Sequence, residues 1–130
     1  IIHEASAGKD ARLQNFVKRV KSAGKNKPYD CIVGVSGGVD SSWVLVEAKR
    51  LGLRPLAVHM DNGWNSELAQ NNIANLVRGL HVDLYTHVID WDEYRGLMQA
   101  FFDADVIDVE LLYDIAMRAL NYQQAAKYGI

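Results

Sequence analysis

Apolar residues recur along this chain with two alternating periods. Over residues 11–22, Leu13, Phe16, Val17 and Val20 fall at i, i+3, i+4 and i+7, which is one face of a helix. Asp10 is the expected N-cap, and Gly24 followed by Pro28 ends the pattern. From Tyr29 the period shortens. Cys31-Ile32-Val33-Gly34-Val35 is a short apolar, β-branched run, the pattern of a buried strand. Residues 41–51 read as a helix with Val44, Ala48 and Leu51 on one face, stopped by Gly52. A second strand over 55–60 ends at Asp61-Asn62-Gly63, and a helix over about 66–79 carries Ile73, Leu76, Val77 and Leu80 inward. A third strand spans 83–89. The helix after it starts at Asp90 or Asp92 and aligns Tyr94, Leu97, Met98 and Phe101. A last long helix, about 108–128, aligns Val109, Leu112, Tyr113, Ala116, Ala119 and Leu120.

Strands alternating with helices of this length predict βαβ units, a parallel sheet and right-handed crossovers. The fold class is α/β. Residues 1–27 form an N-terminal helix and linker, and residues 28–130 form the core. With 49% hydrophobic and 23% charged residues, a disordered chain is excluded. No stretch reaches the roughly 20 apolar residues of a membrane span. No secretory signal is visible either, although the chain does not begin with Met.

Charge narrows the partners. Fourteen Lys and Arg stand against 16 Asp and Glu, a net charge of −2. A nucleic-acid-binding domain carries a basic stripe, and the one basic concentration is Lys18, Arg19, Lys21, Lys25 and Lys27. That run reads as the wet side of the first helix. The single cysteine, Cys31, excludes an internal disulfide and fits a reducing cytoplasm. Its apolar strand makes it a packed small hydrophobe. His3, His59, His81 and His87 show no ligand spacing, and His59 and His87 read as structural strand residues.

The chemistry concentrates in Ser36-Gly37-Gly38-Val39-Asp40-Ser41-Ser42, between the end of the first strand and the start of a helix. Doubly wound folds place their ligands there. Two glycines let the main chain approach an anion, and amides at the helix start point at it along the helix dipole. Ser36, Ser41 and Ser42 add hydroxyls. No lysine lies in the loop, so it is not the kinase-type P-loop, and Gly34, Gly37 and Gly38 miss the dinucleotide spacing. Asp40 is out of place beside a phosphate. A carboxylate about 4 Å from a phosphate oxygen is repelled by around 4 kcal/mol at an effective dielectric near 20. A cation between them removes the conflict, so Asp40 is read as a Mg²⁺ ligand or an organiser of the metal's surroundings. The competing role is a carboxylate that caps the positive end of the helix.

Ser-Gly-Gly-x-Asp-Ser after an apolar strand resembles the signature of the PP-loop, or N-type, ATP pyrophosphatases. The resemblance implies a doubly wound, Rossmann-like sheet of the adenine nucleotide alpha hydrolase-like kind. It also implies a loop that holds the β,γ-pyrophosphate of ATP while a substrate oxygen attacks the α-phosphate. Asp40 and Ser41 are then the catalytic candidates. Ser36, Gly37, Gly38, Val39, Asp40, Ser41, Ser42, Met60 and Asp61 are the nucleotide-binding candidates, with Asp40 on the metal. Val58–Asn65, Val88–Trp91 and Ala104–Glu110 further resemble the N-acetyl sugar amidotransferases of bacterial surface-polysaccharide (LPS and O-antigen) synthesis. That resemblance implies Mg-ATP, a nucleotide-linked N-acetyl sugar as substrate, and ammonia from a separate glutaminase subunit. The cysteine-rich segment expected upstream of the first helix is absent, and a further strand is expected after Tyr128-Gly129-Ile130. With strand order 3-2-1-4, the first strand is then an open edge, and self-association through residues 30–35 is expected.

Other residues have two readings. Asp61-Asn62-Gly63 either meets adenine and ribose, with the Met60 main chain facing the base, or is a turn closed by an Asx bond. Trp64 walls the nucleotide pocket or covers the helix start. Asp103, Asp105, Asp108 and Glu110 are N-cap chemistry for the last helix or a border of the active site. Two rival functions stand beside the sugar amidotransferase: another PP-loop adenylating enzyme, such as a tRNA-thiolating or GMP or NAD synthetase-like one, and a non-catalytic nucleotide-binding module.

Overall fold

The computed structural model describes residues 8–130, so His3 lies outside the described part. In chain order the elements are α1 (Lys9–Ala23), β1 (Cys31–Gly34), α2 (Val39–Arg50), β2 (Pro55–Asp61), α3 (Glu67–Leu80), β3 (Leu84–Val88), α4 (Trp91–Asp103) and α5 (Glu110–Tyr128). The three strands form one parallel sheet in the order β1-β2-β3. Cys31 lies opposite Pro55 and Gly34 opposite Val58, while Ala57 through Asp61 run beside Leu84 through Val88. Among the described residues β1 is paired on the β2 side only.

A parallel sheet needs both faces covered, and β2 shows how the sequence achieves it. Its alternate residues serve two separate cores. Ala57 joins Val33, Val35, Leu45, Ala48, Leu53 and Ile73, with Val17 of α1 completing the cluster. Leu56, Val58 and Met60 point the other way and meet Leu120 of α5. Helices α1, α2 and α3 therefore cover one face and α5 the other. Helix α4 contributes no buried residue to either.

Helix faces differ from the periodic reading in two places. In α2 the inward residue is Leu45, fully buried, while Val44 is 54% exposed. Val44, Leu45 and Val46 are all apolar, so the run fits two faces, and the sharp turn at Gly37-Gly38 selects the second. In α1, Val17 is buried and Val20 partly so, whereas Leu13 and Phe16 are exposed. Asp10 sits in the first turn of α1 rather than at its N-cap, which is Gly8 with φ 94°.

The amino ends of the strands are tied together. Arg54 Nη2 donates to Asp30 Oδ1 at 2.7 Å and to the Gly24 carbonyl at 2.9 Å, and Nη1 donates to the Lys27 carbonyl at 2.7 Å. The Arg54 amide donates to Asp30 Oδ2 at 2.9 Å. Hydrogen bonds from Arg54 hold the Asp30 carboxyl below the usual carboxylate range, although burial pulls the other way. Tyr29 Oη donates to Asp83 Oδ2 at 2.9 Å, and the Tyr29 ring meets the Tyr128 ring edge-on at 5.0 Å. Lys27 Nζ donates to the Gly129 carbonyl. The start of β1 is thereby joined to the starts of β2 and β3 and to the end of α5. Cys31, half-buried in β1, has its thiol pushed up by burial and secondarily by Asp30, which suits packing rather than reactivity.

Candidate functional site

The carboxyl ends of β1 and β2 carry two consecutive turns. The first, Ser36–Gly38, leads into α2. Gly37 has φ 80°, and a Cβ there would lie 2.5 Å from the Ala69 carbonyl oxygen and 2.8 Å from the Ala69 Cα. Only glycine lets β1 pass this close to α3. Asn72 of α3 donates its Nδ2 to the Gly37 carbonyl at 3.1 Å and holds the turn in place. Gly38 is the N-cap of α2 with ordinary φ −80°, and no side chain caps the amides of that helix start. Ser42 N–H donates to the Gly38 carbonyl at 3.2 Å as the opening helical bond.

The contrast with the neighbouring helices is informative. The N-cap Ser66 of α3 accepts from Ala69 N–H, and the N-cap Asp90 of α4 accepts from Glu93 N–H. A helix start leaves its first amides without internal partners, and a side chain normally meets part of that need. At α2, as at α1, no side chain caps the first-turn amides. The serine hydroxyls behave differently from the sequence expectation. Ser42 Oγ donates to the Gly38 carbonyl at 2.7 Å, and Ser41 Oγ lies 3.2 Å from Ser36 Oγ and 3.3 Å from the Gly38 carbonyl. Ser36 N–H donates to Ser41 Oγ at 3.2 Å. The hydroxyls brace the loop from within.

Asp40 lies in the first turn of α2, exposed, and takes part in no hydrogen bond or ion pair among the described residues. Mg²⁺ in nucleotide sites takes one or two carboxylates, with phosphate oxygens and water completing its octahedron. A single free carboxylate at the start of α2 fits that need. No group of three or more His, Cys, Asp or Glu suited to a metal occurs among the described residues.

The second turn closes on itself. Asp61 Oδ1 accepts from Gly63 N–H at 2.9 Å and from Asn65 Nδ2 at 3.0 Å, and Asn62 Oδ1 accepts from Trp64 N–H at 3.0 Å. The Asx bond of the turn reading is present, and a second follows it. Asn65 Nδ2 also lies 3.3 Å from His59 Nε2, and the buried His59 Nδ1 lies 3.0 Å from the Val35 carbonyl. With Nδ1–H donating to Val35 and Nε2 accepting from Asn65, every bond has a donor and an acceptor. This run of side chains links the exit of β1 to the turn after β2. The Met60 side chain is buried, and its carbonyl accepts from Tyr113 Oη at 3.1 Å. Burial raises the Tyr113 phenol above its usual value, with Tyr94, Asp61 and Asp114 adding to the shift.

These pieces enclose a cleft of about 480 Å³. Ser36 opens it, Asn62, Trp64 and Asn65 form one side, Tyr94 and Met98 another, and Glu110, Tyr113 and Asp114 of α5 the third. Of the acidic stretch, Glu110 reaches the cleft. Asp108 accepts from Glu110 N–H at 3.1 Å as helix-start chemistry, and Asp103 accepts from Gln99. Sequence reasoning did not assign roles to Asn65, Asn72 and Tyr113. Mid-helix Asn72 is a poor helix former and so was a signal, as was a core-facing tyrosine whose hydroxyl needs a partner. No helix among the described residues is long and apolar enough to cross a membrane.

No protein-family model matches the sequence, and no curated protein matches it. Solved structures match its fold. The glutamine-dependent NAD+ synthetase of Acinetobacter baumannii, solved with ADP, superposes with a TM-score of 0.69 at 23% identity, over 89% of this chain and 22% of that one. The NMN synthetase of Francisella tularensis gives 0.64 at 19% identity, over 91% and 49%. The NH3-dependent NAD synthetase of Campylobacter jejuni, solved with nitrate, gives 0.63 at 18%, over 91% and 52%. The chain thus spans 22% to 52% of the length of these structures. At such identities the likeness is one of fold. The chain has the Rossmann-like α/β fold of the NAD synthetases, as its Ser36–Ser42 loop implies.

Proposed function

We propose that this chain is the ATP-binding part of an amidating enzyme that adenylates an N-acetylated, nucleotide-linked amino sugar and exchanges the amide oxygen for ammonia. The single observation that carries the ATP half is the start of α2, where uncapped amides, Gly37 and a free Asp40 carboxylate adjoin an open cleft. The fold shared with synthetases, one of them solved with ADP, supports the same half. The sugar half rests on the resemblance of Val58–Asn65, Val88–Trp91 and Ala104–Glu110 to the sugar amidotransferases.

In this reading the amide oxygen attacks the α-phosphate, the bond to the β-phosphate breaks, and pyrophosphate leaves. Ammonia then adds to the activated carbon, the carbon–oxygen bond breaks to release AMP, and loss of a proton gives the acetamidino group. The α2 amides hold the pyrophosphate and stabilise its growing charge. Ser41 braces the loop through Ser36 and Gly38, and Asp40 would hold Mg²⁺, whose charge offsets that of the phosphates. Catalysis is by position and electrostatics rather than by a protein nucleophile. Ammonia comes from a glutaminase partner, and the setting is cytoplasmic.

A second reading has a specific observation behind it. The solved neighbours are NAD and NMN synthetases, so the activated oxygen belongs instead to a carboxylate and the product is an amide. Incubating the full-length protein with Mg-ATP, ammonia and N-acetylated nucleotide sugars separates the two by mass spectrometry. Substrate-dependent AMP and pyrophosphate with an amidine product are expected. Turnover only with a carboxylate acceptor selects the second reading, and ATP bound but unchanged under every acceptor refutes both.

The edge of β1 that is unpaired among the described residues is part of the same proposal, as a surface for self-association. Sedimentation is expected to show a concentration-dependent dimer. A monodisperse monomer with fully protected β1 amides contradicts it.

A further inference from the structure

Beside the cleft a smaller hollow of about 270 Å³ opens between Trp64 and Trp91, floored by Asn62 and Gly63. The two indoles are 69% and 47% exposed, with ring centroids 6.1 Å apart and planes inclined at 49°. Tyr94 continues the row, 6.3 Å from Trp91. Two exposed tryptophans side by side are costly surface, and such rings in a polar frame mark a binding site. Both are anchored at their main chain. Trp64 N–H donates to Asn62 Oδ1, and Trp91 opens α4 directly after its cap Asp90.

Charge selects the occupant. Neither this hollow nor the adjoining cleft is lined by Lys or Arg. The cleft instead presents Glu110 and Asp114, together with the amides of Asn62 and Asn65. Glu110 makes no side-chain bond among the described residues, while Asp114 is paired with Arg118 at 3.3 Å. A diphosphate placed beside Glu110 would meet like charge. A neutral ring bearing hydroxyls meets acceptors for its O–H groups and π faces for its C–H bonds. The hollow is smaller than a typical pocket for a drug-sized ligand, about 300 Å³ and upward, and takes one ring.

We propose that the Trp64–Trp91 pair is the platform for the pyranose ring of the acceptor, with the ring's hydroxyls directed to Asn62 and Glu110. The assignment rests on the nucleotide-sugar reading for the identity of that acceptor. Asn62 and Trp64 line both hollows, so a sugar stacked here extends continuously toward Ser36 and the phosphate loop.

The chain has three tryptophans, and Trp43→Phe removes the one outside the pair, with the Trp64→Phe, Trp91→Phe double variant as the reference for any other indole. In that background the full-length protein is titrated with UDP-N-acetylglucosamine, N-acetylglucosamine and UDP while indole fluorescence is followed. The nucleotide sugar and the free sugar are both expected to quench. Trp91→Ala, which alters the hollow and not the cleft, is expected to raise the Kd for the sugar about tenfold, with ATP affinity changed by less than about twofold, and Trp91→Phe to recover most of the loss. UDP quenching as strongly as the nucleotide sugar, with the free sugar silent, means base stacking and overturns the proposal. So does a sugar Kd unmoved by both Trp64→Ala and Trp91→Ala. Sugar quenching that persists while no amidine is formed supports the platform and counts against the activity alone. Amidine formation by Trp64→Ala at an unchanged KM overturns the platform alone.

Discussion

At the amino end of the sheet a single arginine, Arg54, gathers Asp30, Lys27 and Gly24, and Tyr29 bridges to Asp83 and Tyr128. At the carboxyl end the helix after β1 starts with no side chain on its amides, and two tryptophans stand in solvent. One end satisfies its polar groups within the chain, and the other leaves the first amides of α2 without a side-chain cap. Buried or half-buried polar groups are costly when unpaired, so the open end persists because water, or a ligand, reaches it. Parallel sheets place ligands at their carboxyl ends for this reason, and here the amino end carries the bracing that lets them do so.

Gly37 is where the division breaks most visibly, being a structural residue at the open end. Gly37→Ala forces a side chain into φ 80° and against the main chain of Ala69. Left-handed backbone costs roughly 1–2 kcal/mol and overpacking a further 1–3, so a loss of about 3 kcal/mol is expected in urea unfolding. Gly38→Ala sharpens the contrast. A Cβ there meets only Ser36 Oγ at 3.5 Å, so stability should change by less than about 1 kcal/mol. Its methyl group borders the amides, and pyrophosphate release should fall at least about tenfold. Equal stability losses in the two variants would remove the distinction.

The next effect comes from the turn after β2. Asn65→Ala leaves buried His59 Nε2 without its donor and frees one bond to Asp61, at a cost of about 1–2 kcal/mol. An unchanged urea midpoint would show that water replaces the amide. The smallest effect is a slope at the amino end. Asp30 is held below the usual carboxylate range by Arg54, so its contribution is whole above the unfolded value of about 3.9. That contribution is lost as the pH falls through the lower folded value. The stability gap between the parent and Asp30→Asn should therefore close on acidification below about pH 4. A gap that widens there contradicts the assignment.

The elements and the phosphate loop were legible because each has a local cause. Ser36–Ser42 combines glycines, a preceding β-branched run and a following helix within one short stretch, and β2 is apolar on both sides because both its faces are covered. What stayed illegible depends on distant partners. The choice between Val44 and Leu45 is made by the direction in which α2 leaves its turn. Asn72 reaches Gly37 from another helix, and Tyr113 reaches Met60 across 53 positions of chain. The hydroxyls of Ser41 and Ser42 looked like ligand donors, yet the Gly38 carbonyl is closer to hand.

Helix α4 supplies Tyr94 and Met98 to the cleft while none of its own residues is fully buried. Local stability follows buried contact, so this wall breathes at a lower free-energy cost than the sheet behind it. The chamber therefore has one rigid side and one yielding side. A guest in the cleft would be met by the yielding helix, while the Ser36–Ser42 loop, set on the rigid side, would keep its geometry.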